Sequence, residues 1–211
     1  MDRRSQDRVQ WVYSSQTNSE LSQRYDEWAE DYDKDLSDVF GWIAPNAASE
    51  YLAKYVEPES LVLDAGAGTG LVGVALLKHG FNNLTAMDLS EGMLKEARNK
   101  NVYQKFDQMV LGEHLDYLTD TFDAVISVGV MTLGHAGPES LDELIRITKP
   151  RGYIVFTIRT DVYTQNGFKE KQEELELKNI WEKIEVSDRF RPMPSGEPDV
   201  FHCVWVYRVR D

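Results

Sequence analysis

The stretch that decides the fold is Leu61-Val62-Leu63-Asp64-Ala65-Gly66-Ala67-Gly68-Thr69-Gly70. An apolar run ends in a carboxylate, three glycines follow at alternate positions, and an apolar pattern with helical spacing begins at Leu71. This order predicts a buried strand, a tight turn and the start of a helix. Glycines permit positive φ angles and close approach of a ligand, and the free N–H groups of the next helix face that ligand. The stretch therefore predicts a site for a nucleotide-like cofactor.

The spacing of the glycines separates this turn from two other nucleotide-binding motifs. The dinucleotide fingerprint is G-x-G-x-x-G, whereas this chain has G-x-G-x-G and carries Leu71 at the third position of that fingerprint. A phosphate-binding P-loop requires G-x-x-x-x-G-K-[ST], which this stretch lacks. The run Asp64-x-Gly66-x-Gly68-x-Gly70 instead resembles motif I of the class I S-adenosylmethionine-dependent methyltransferases. The resemblance implies S-adenosylmethionine as the cofactor. Its methionine part is expected to lie beside the glycine turn, with the acid contacting that region directly or through water.

Strand-like and helix-like segments alternate along the rest of the chain. Such alternation predicts an α/β fold with a parallel sheet and helices on both faces. The family resemblance implies a Rossmann-like, seven-stranded, mostly parallel sheet that ends in a C-terminal antiparallel hairpin with its loop at 191–198. The predicted strands are 61–64, 84–88, 108–111, 122–128, 153–158, 184–186 and 200–209, and the predicted helices are 25–36, 47–56, 71–78, 90–98, 141–145 and 168–182.

The length of 211 residues and the mass of 24.2 kDa predict one domain over 1–211. We expect a loose, polar lead-in over 1–20, an N-terminal helical cap over 21–56 and the Rossmann-like core over 57–211. Such a polar start, without an apolar segment, predicts no secretory signal.

Charge and cysteine content narrow the class of protein. The net charge of −13 repels phosphate backbones, which makes nucleic acid an unfavourable substrate. No apolar run approaches the roughly 20 residues that span a bilayer, so we expect no membrane association. The single cysteine, Cys203, predicts a reducing compartment, the cytoplasm with the nucleus as an alternative. The four histidines are scattered, which predicts no metal site.

Asp88 ends the second predicted strand, 22 residues after Gly66. An acid at about this spacing in a nucleotide-binding βαβ unit accepts hydrogen bonds from ribose hydroxyls, and a carboxylate accepts both O–H groups of a vicinal diol. A surface acid is the alternative. The D-x-S-x-x-M-L pattern that begins at Asp88 resembles a segment of the same family, which implies that Leu89 and Met93 lie near the adenine.

The segment after the third predicted strand departs from the family pattern. Many members carry D-A-x-x-L there, with an Asp that binds the adenine amine, whereas this chain has Leu111 at that position. Adenine recognition is therefore expected from the backbone or side chains around Gly112 and Glu113, unless Glu113 is a solvated loop acid.

The loop after the fourth predicted strand is placed at the site by topology alone. Ligands of open α/β sheets bind outside the carboxyl ends of the strands, near the point where the strand order reverses. We therefore predict that residues 129–135 lie at the rim of the active site and that Val128 and Gly129 border the cofactor. His135 is a candidate general base because an imidazole titrates near neutral pH, although a loop histidine without a catalytic role is the commoner case.

Tyr25, Trp28 and Tyr32 share one face of a predicted helix. A core-facing stripe explains them, but Y-D-x-W-A-x-x-Y-D also resembles a cap that folds over bound cofactor in this family. The resemblance implies that Trp28 and Tyr32 contribute to the site, where aromatic faces attract the sulfonium cation. The complete predicted cofactor site is Trp28, Tyr32, Asp64, Ala65, Gly66, Gly68, Gly70, Asp88, Leu89, Met93, Gly112, Glu113, Val128 and Gly129.

The family resemblance covers residues 25–160. Its later part, 147–152 (Ile-Thr-Lys-Pro-Arg-Gly) and 157–160 (Thr-Ile-Arg-Thr), is similar to the Williams–Beuren syndrome critical-region methyltransferase-like proteins. Methyl transfer by direct displacement mainly requires alignment of the methyl acceptor and exclusion of water, so the lack of a catalytic triad is no objection.

Three functions stay open at this level. They are a small-molecule methyltransferase, a protein or RNA methyltransferase, and a module that binds S-adenosylmethionine without turnover. Members that act on protein or RNA nitrogen often carry N/D-P-P-Y/F after the fourth strand, where this chain has Ser127-Val128-Gly129-Val130. The small-molecule methyltransferase is therefore favoured, while the identity of the methyl acceptor and the oligomeric state stay open.

Overall fold

The computed structural model describes residues 3–211, with side chains from residue 8 onward. Seven strands form one sheet in this part of the chain. They are β1 (Val62–Ala65), β2 (Leu84–Asp88), β3 (Lys105–Gln108), β4 (Phe122–Met131), β5 (Thr148–Arg159), β6 (Trp181–Val186) and β7 (His202–Val209). Their order across the sheet is β3-β2-β1-β4-β5-β7-β6. The first five strands are parallel, and β7 is antiparallel to both β5 and β6. The predicted sheet with its C-terminal antiparallel pair is confirmed.

Helices surround this sheet and form an additional layer at one end. They are α1 (Arg3–Tyr13), α2 (Asn18–Lys34), a π-helix (Asp35–Phe40), α3 (Ala44–Ala53), α4 (Leu71–Leu77), α5 (Glu91–Asn99), α6 (Ser140–Ile147), α7 (Thr160–Gln165) and α8 (Phe168–Leu177). Alternate residues of each central strand enter opposite core clusters: Val62 packs in a cluster with α3, α4 and α5, whereas Leu63 packs in one with α6, α7 and α8. This alternation follows from the period of two in a strand. It explains why the central strands are apolar on both faces.

The strand order places a crevice at the carboxyl ends of β1 and β4. The chain runs outward from β1 through β2 to β3, and then returns to the other side of β1 as β4. The loops that leave β1 and β4 therefore diverge to opposite faces, which is the position where open α/β sheets bind ligands.

Helices α1 and α2 and the π-helix cover this crevice, and we call these three elements the cap. A cluster that includes Val12, Trp28, Phe40 and Met193 forms its own small core. Polar contacts fasten α2 to the sheet loops, because Asp26 accepts hydrogen bonds from the Ser90 hydroxyl at 2.6 Å and the Gly92 N–H at 2.7 Å. The Asp33 carboxylate likewise accepts a hydrogen bond from the Thr69 hydroxyl and one from the Lys100 ammonium.

The predicted loose lead-in over 1–20 is wrong for its larger part. Residues 3–13 form α1, and α2 already begins at Asn18 behind Thr17, whose hydroxyl accepts a hydrogen bond from the Glu20 N–H. Val9 and Val12 lie one helical turn apart and are buried in a cluster with residues of α2 and the π-helix. Two apolar residues are too few to reveal a helix in a polar stretch of sequence. Residues 1–2 of the predicted lead-in lie outside the described residues.

Several other boundaries differ from the predictions, among them those of β3 and of the helix predicted over 168–182. Strand β3 covers 105–108 rather than 108–111, because its register with β2 pairs Lys105 with Thr85 and the strand itself carries little apolar sequence. The helix predicted over 168–182 ends at Leu177, and Trp181 begins β6 as a buried residue while Ile180 is 36% exposed. Both segments lie at the sheet edges, where alternation is weakest.

Candidate active site

The glycine turn after β1 combines a packing requirement with an open cradle. Gly66, Gly68 and Gly70 have φ angles of +85°, +52° and +90°, a region that side chains disfavour. A Cβ atom added at Gly66 would lie 2.2 Å from Cγ2 of Val130, whereas one added at Gly68 would meet nothing within 4 Å. Gly66 is therefore required by the protein interior, and Gly68 leaves space for a ligand to approach its backbone.

Asp88 connects this turn to the loop after β2. One carboxylate oxygen accepts the Gly68 N–H at 2.8 Å, and the other accepts the Ser90 N–H at 2.9 Å. Burial raises the pKa of Asp88 to about 6, although these backbone N–H groups act in the opposite direction. Each oxygen keeps a second lone pair, so the carboxylate can still accept a pair of hydroxyl groups from a sugar.

A large cavity lies between the glycine turn and the cap. It contains about 990 Å³ of space outside the protein atoms, part of it open to solvent, which is in the range of small-molecule and cofactor sites. Ten residues that the sequence analysis named line it: Trp28, Tyr32, Gly66, Gly68, Asp88, Leu89, Met93, Val128, Gly129 and His135.

A second cavity of about 610 Å³ adjoins the first and contains Gly112 and Glu113. The two cavities share Asp88 among their lining residues. The cap closes the second cavity, since the Asn18 amide donates to the Glu113 carboxylate at 3.2 Å. An extended ligand with a sugar at its centre fits this arrangement, because its two ends would lie in different cavities.

These residues fit S-adenosylmethionine. The open backbone at Gly68 suits the methionine part, the free lone pairs of Asp88 suit the ribose hydroxyls, and the cavity at Gly112 and Glu113 suits the adenine.

Asp64, Ala65 and Gly70 lie outside both cavities. Asp64 is fully buried beneath the turn, where one carboxylate oxygen accepts the Tyr103 hydroxyl at 2.5 Å and the other has no hydrogen-bond partner. Burial raises the pKa of Asp64 to about 7. A Cβ atom at Gly70 would lie 2.9 Å from the Tyr103 ring. In the described geometry these positions support the turn from below, and a contact of Asp64 with the cofactor stays a prediction.

Aromatic rings of α2 form the roof of the first cavity. The rings of Tyr25 and Trp28 are parallel at 6.4 Å, and Tyr32 meets the edge of Trp28 at 4.8 Å. The indole N–H of Trp28 donates to Asp35 at 2.8 Å, which fixes the ring. The roof presents the aromatic surface that favours a positively charged sulfur.

His135 reaches the same roof from the loop after β4. Its Nδ1 lies 2.8 Å from the Leu133 carbonyl oxygen and its Nε2 lies 2.7 Å from the Tyr25 hydroxyl. Burial lowers the pKa of His135, so the ring is neutral, Nδ1 donates to the carbonyl and Nε2 accepts from Tyr25. Both nitrogens are engaged, and the predicted base role therefore requires the Tyr25 hydroxyl to move away.

Sequence reasoning did not connect several lining residues with the site. Tyr13, Met193 and His202 line the first cavity, and Asn18 lines the second. They come from α1, the start of α2 and the last hairpin, without a shared motif. The one sequence feature that marks His202 is a histidine in an otherwise mostly apolar strand. The position of His202 in the sheet follows only from strand pairing.

Two features are absent from the described part of the chain. No helix there is long and apolar enough to cross a membrane. Among the side chains of residues 8–211, no group of three or more His, Cys, Asp or Glu is arranged to hold a metal ion.

Known proteins share this sequence pattern and fold. Residues 63–156 match a family model described as a methyltransferase domain. The chain is 36% identical over 167 residues to methyltransferase-like protein 27 of Homo sapiens, which covers 76% of this chain and 67% of that protein. It is also 38% identical over 97 residues to demethylmenaquinone methyltransferase of Clavibacter sepedonicus, where the match covers 44% of this chain and only 39% of the relative.

A solved structure from Thermotoga maritima shows the same fold. It is described as an S-adenosylmethionine-dependent methyltransferase and possible histamine N-methyltransferase. It superposes with a TM-score of 0.62 at 20% identity, over 89% of this chain and 98% of that one. With its glycine turn, the Asp88 carboxylate that accepts a hydrogen bond from that turn, and these relatives, the chain belongs to the class I S-adenosylmethionine-dependent methyltransferases.

Proposed function

We propose that this S-adenosylmethionine-dependent methyltransferase modifies a small-molecule acceptor enclosed between the sheet and the cap. The observation that carries the proposal is the aromatic roof, because Tyr25, Trp28 and Tyr32 extend over the cavity that begins at the glycine turn. A protein substrate requires an open groove that admits a peptide. The chain also lacks the N/D-P-P-Y/F segment after β4.

The chain's residues have separate tasks in this reaction. The bound cofactor supplies a methyl group on a positively charged sulfur. The turn at Gly68 would hold its amino-acid part by backbone contact, and Asp88 would accept hydrogen bonds from its sugar. The roof at Trp28 and Tyr32 excludes water and lies over the cation. The protein thus acts through alignment, which is sufficient for displacement at an already activated methyl group.

We further propose that the chain groups with the Williams–Beuren syndrome critical-region methyltransferase-like proteins and works in a reducing compartment, the cytoplasm or the nucleus. The support is the pair of segments 147–152 and 157–160 and the single cysteine. Members of that group, assayed on the same extracts, should methylate the same class of compound. Methylation of unrelated classes of compound would contradict the grouping. Localisation of the tagged protein to an oxidising compartment would contradict the proposal of a reducing compartment.

Cofactor binding at Asp88 is tested by calorimetric titration with S-adenosylmethionine, its demethylated product and NAD. The first two should bind and NAD should not. Asp88→Asn should weaken binding of the first two about tenfold or more, because a hydrogen bond to a charged group contributes roughly 1.5–3 kcal/mol. Asp116→Asn, at an exposed position away from both cavities, is the matched control. Unchanged affinity in Asp88→Asn would reject the ribose assignment.

The class of methyl acceptor is tested with radiolabelled cofactor and two extracts, one of metabolites and one of proteins. Label in the metabolite extract supports the proposal. Label restricted to protein would replace it with a protein methyltransferase. Cofactor binding without transfer to either extract would favour a binding module.

A further inference from the structure

We propose that the methyl acceptor is an uncharged, largely apolar compound whose hydroxyl group is bound by Thr132 and His202 in the first cavity. This inference rests on the proposed function and names the substrate class of the same site.

Thr132 and His202 lie at the same end of the sheet and line the same cavity. In the sheet register, Met131 of β4 pairs with Ile158 of β5, and the next residue of β5, Arg159, pairs with His202 of β7. Thr132 directly follows Met131, so it lies at the level of His202, two strands away. Both residues line the first cavity and neither lines the second. They are therefore separate from the cavity that suits the adenine.

Each of these two residues has a buried polar atom without a hydrogen-bond partner. The atoms are Oγ1 of Thr132 and Nδ1 of His202, and the two residues are only 6% and 3% exposed. The Thr132 hydroxyl lies near that of Tyr13 and lowers its pKa in part, against the larger effect of burial, but it has no hydrogen bond there. Native proteins contain few such unsatisfied atoms, because each one destabilises the fold. Two of them on residues that line one cavity indicate a ligand that supplies the missing hydrogen bonds.

The first cavity offers no charged partner to a substrate. Among the side chains described from residue 8 onward, Asp88 carries the only carboxylate, ammonium or guanidinium group that lines it, and the proposed function assigns Asp88 to the sugar of the cofactor. Arg159 does not line the cavity and is paired with Asp161 at 2.8 Å. Burial lowers the pKa of His202 to about 4, so its imidazole is neutral. An unpaired charge is costly to bury, and an ammonium group would also be repelled by the sulfonium of the cofactor. The cavity therefore favours an uncharged substrate.

Apolar side chains form much of the wall of this cavity. They are Val9, Val12, Leu36, Trp42, Pro45 and Met193. Val12 and Met193 belong to the apolar cluster of the cap, and the Trp42 ring lies 3.0 Å from the position of a Cβ atom at Gly129, in β4. Burial of apolar surface against such walls favours binding. The body of the substrate is therefore expected to be largely apolar.

A hydroxyl group matches the two unpaired atoms. It both donates and accepts hydrogen bonds, so it can pair with the Thr132 hydroxyl and with a neutral His202 ring, whichever ring nitrogen carries the proton. A ketone or an ether only accepts hydrogen bonds and would leave an unprotonated Nδ1 without a partner. A substrate hydroxyl can thus satisfy both buried atoms at once.

The charge of the substrate is tested with the full chain, radiolabelled S-adenosylmethionine and a metabolite extract. Ion exchange at neutral pH first separates the extract into cationic, anionic and uncharged fractions. We expect label to be transferred in the uncharged fraction. Label restricted to a charged fraction would overturn this inference and leave the small-molecule methyltransferase intact. Absence of label from all three fractions would overturn the proposed function itself.

The hydroxyl group is tested on the uncharged fraction by reversible acetylation. Acetylation before the reaction should abolish the labelled product, and subsequent mild alkaline hydrolysis should restore it, because acetate esters are cleaved and acetamides are not. A portion treated with mild alkali alone is the control. Label that survives acetylation, or that fails to return after hydrolysis, would overturn the hydroxyl assignment.

Variants test the two residues. Thr132→Val and His202→Leu should each lower transfer to the labelled compound about tenfold. Thr132→Ser and His202→Asn keep a polar atom near the same position and should restore most of the transfer. An affinity for S-adenosylmethionine within about twofold of the wild type shows that each variant is folded. His79→Leu, at an exposed position just after α4, is the control and should match the wild type.

The melting temperature of the ligand-free chain separates substrate binding from a structural role. Thr132→Val removes a buried hydroxyl that has no partner, so it should not lower the melting temperature. A lower melting temperature with wild-type transfer would mean that the hydroxyl supports the fold, through Tyr13, and would overturn its role in the subsite. Wild-type transfer in both Thr132→Val and His202→Leu would remove these residues from the subsite.

Discussion

Asp64→Asn should stabilise the protein at mildly alkaline pH and leave its stability nearly unchanged in acid. The Asp64 carboxyl is fully buried, one of its oxygens has no hydrogen-bond partner, and its pKa is raised from 3.8 to about 7 by burial. Asn has the same shape as the protonated acid and carries no charge. The substitution therefore removes only the cost of ionising the group in the interior.

The sign and size follow from proton linkage. Between pH 3.8 and about 7, the folded state holds a proton that the unfolded state has released, so raising the pH favours unfolding. Each pH unit in that interval corresponds to about 1.4 kcal/mol, which sums to roughly 4 kcal/mol across it. The advantage of Asp64→Asn should thus grow from near zero at about pH 4 to roughly 4 kcal/mol above about pH 7.

Urea unfolding of both proteins across this pH range measures the effect, with m-values compared to confirm equal exposure on unfolding. Asp123→Asn is the matched control with the opposite sign. Although burial raises the pKa of Asp123, its hydrogen bonds from Lys149 and Leu61 lower it overall. The ionised Asp123 carboxylate therefore stabilises the folded protein at higher pH. This stabilisation disappears in acid, where the carboxylate is protonated.

Parallel pH profiles for the wild type and Asp64→Asn would refute this reasoning. Cofactor affinity supplies a second readout, because Asp64 lies outside both cavities. Affinity should be unchanged in the variant. A tenfold loss would instead mean that the acid contacts the cofactor, as the family resemblance implies.

Two further predictions concern the turn and the cap. Gly66→Ala should lower the melting temperature by an amount equivalent to about 2 kcal/mol, because its methyl group meets Val130 at 2.2 Å. Gly68→Ala should lower the free energy of unfolding by only about 1 kcal/mol. The same variant should weaken S-adenosylmethionine binding at least tenfold in calorimetry. Equal effects of the two on binding and melting would contradict the distinct roles of these glycines. Asp26→Ala removes the acceptor for Ser90 and Gly92 and should speed amide hydrogen exchange in α2 but not in β1. Exchange no faster than in the exposed control Glu30→Ala would show that Asp26 does not fasten the cap.

Local backbone chemistry explains why much of the fold and of the cofactor site could be predicted from sequence. The turn after β1 needs glycines because its φ angles are positive. The glycines can therefore be recognised directly in the sequence. The apolar runs of β1, β2 and β4 reflect burial on both faces, and Asp88 follows from its position at the end of a strand. These features depend on neighbours within a few residues.

Tertiary structure decided the features that depend on contacts between residues distant in the sequence. The sequence placed Asp64 at the site by its motif, but packing buries the carboxyl and so raises its pKa, while Tyr103, 39 residues away, donates a hydrogen bond that lowers the pKa in part. His202 joins the cavity because strand pairing sets it beside Arg159. No local pattern encodes these contacts, since a register or a burial is settled only when separate elements pack together. The sequence by itself therefore determined the cofactor and the fold, while the three-dimensional packing determined which polar groups line the cavity.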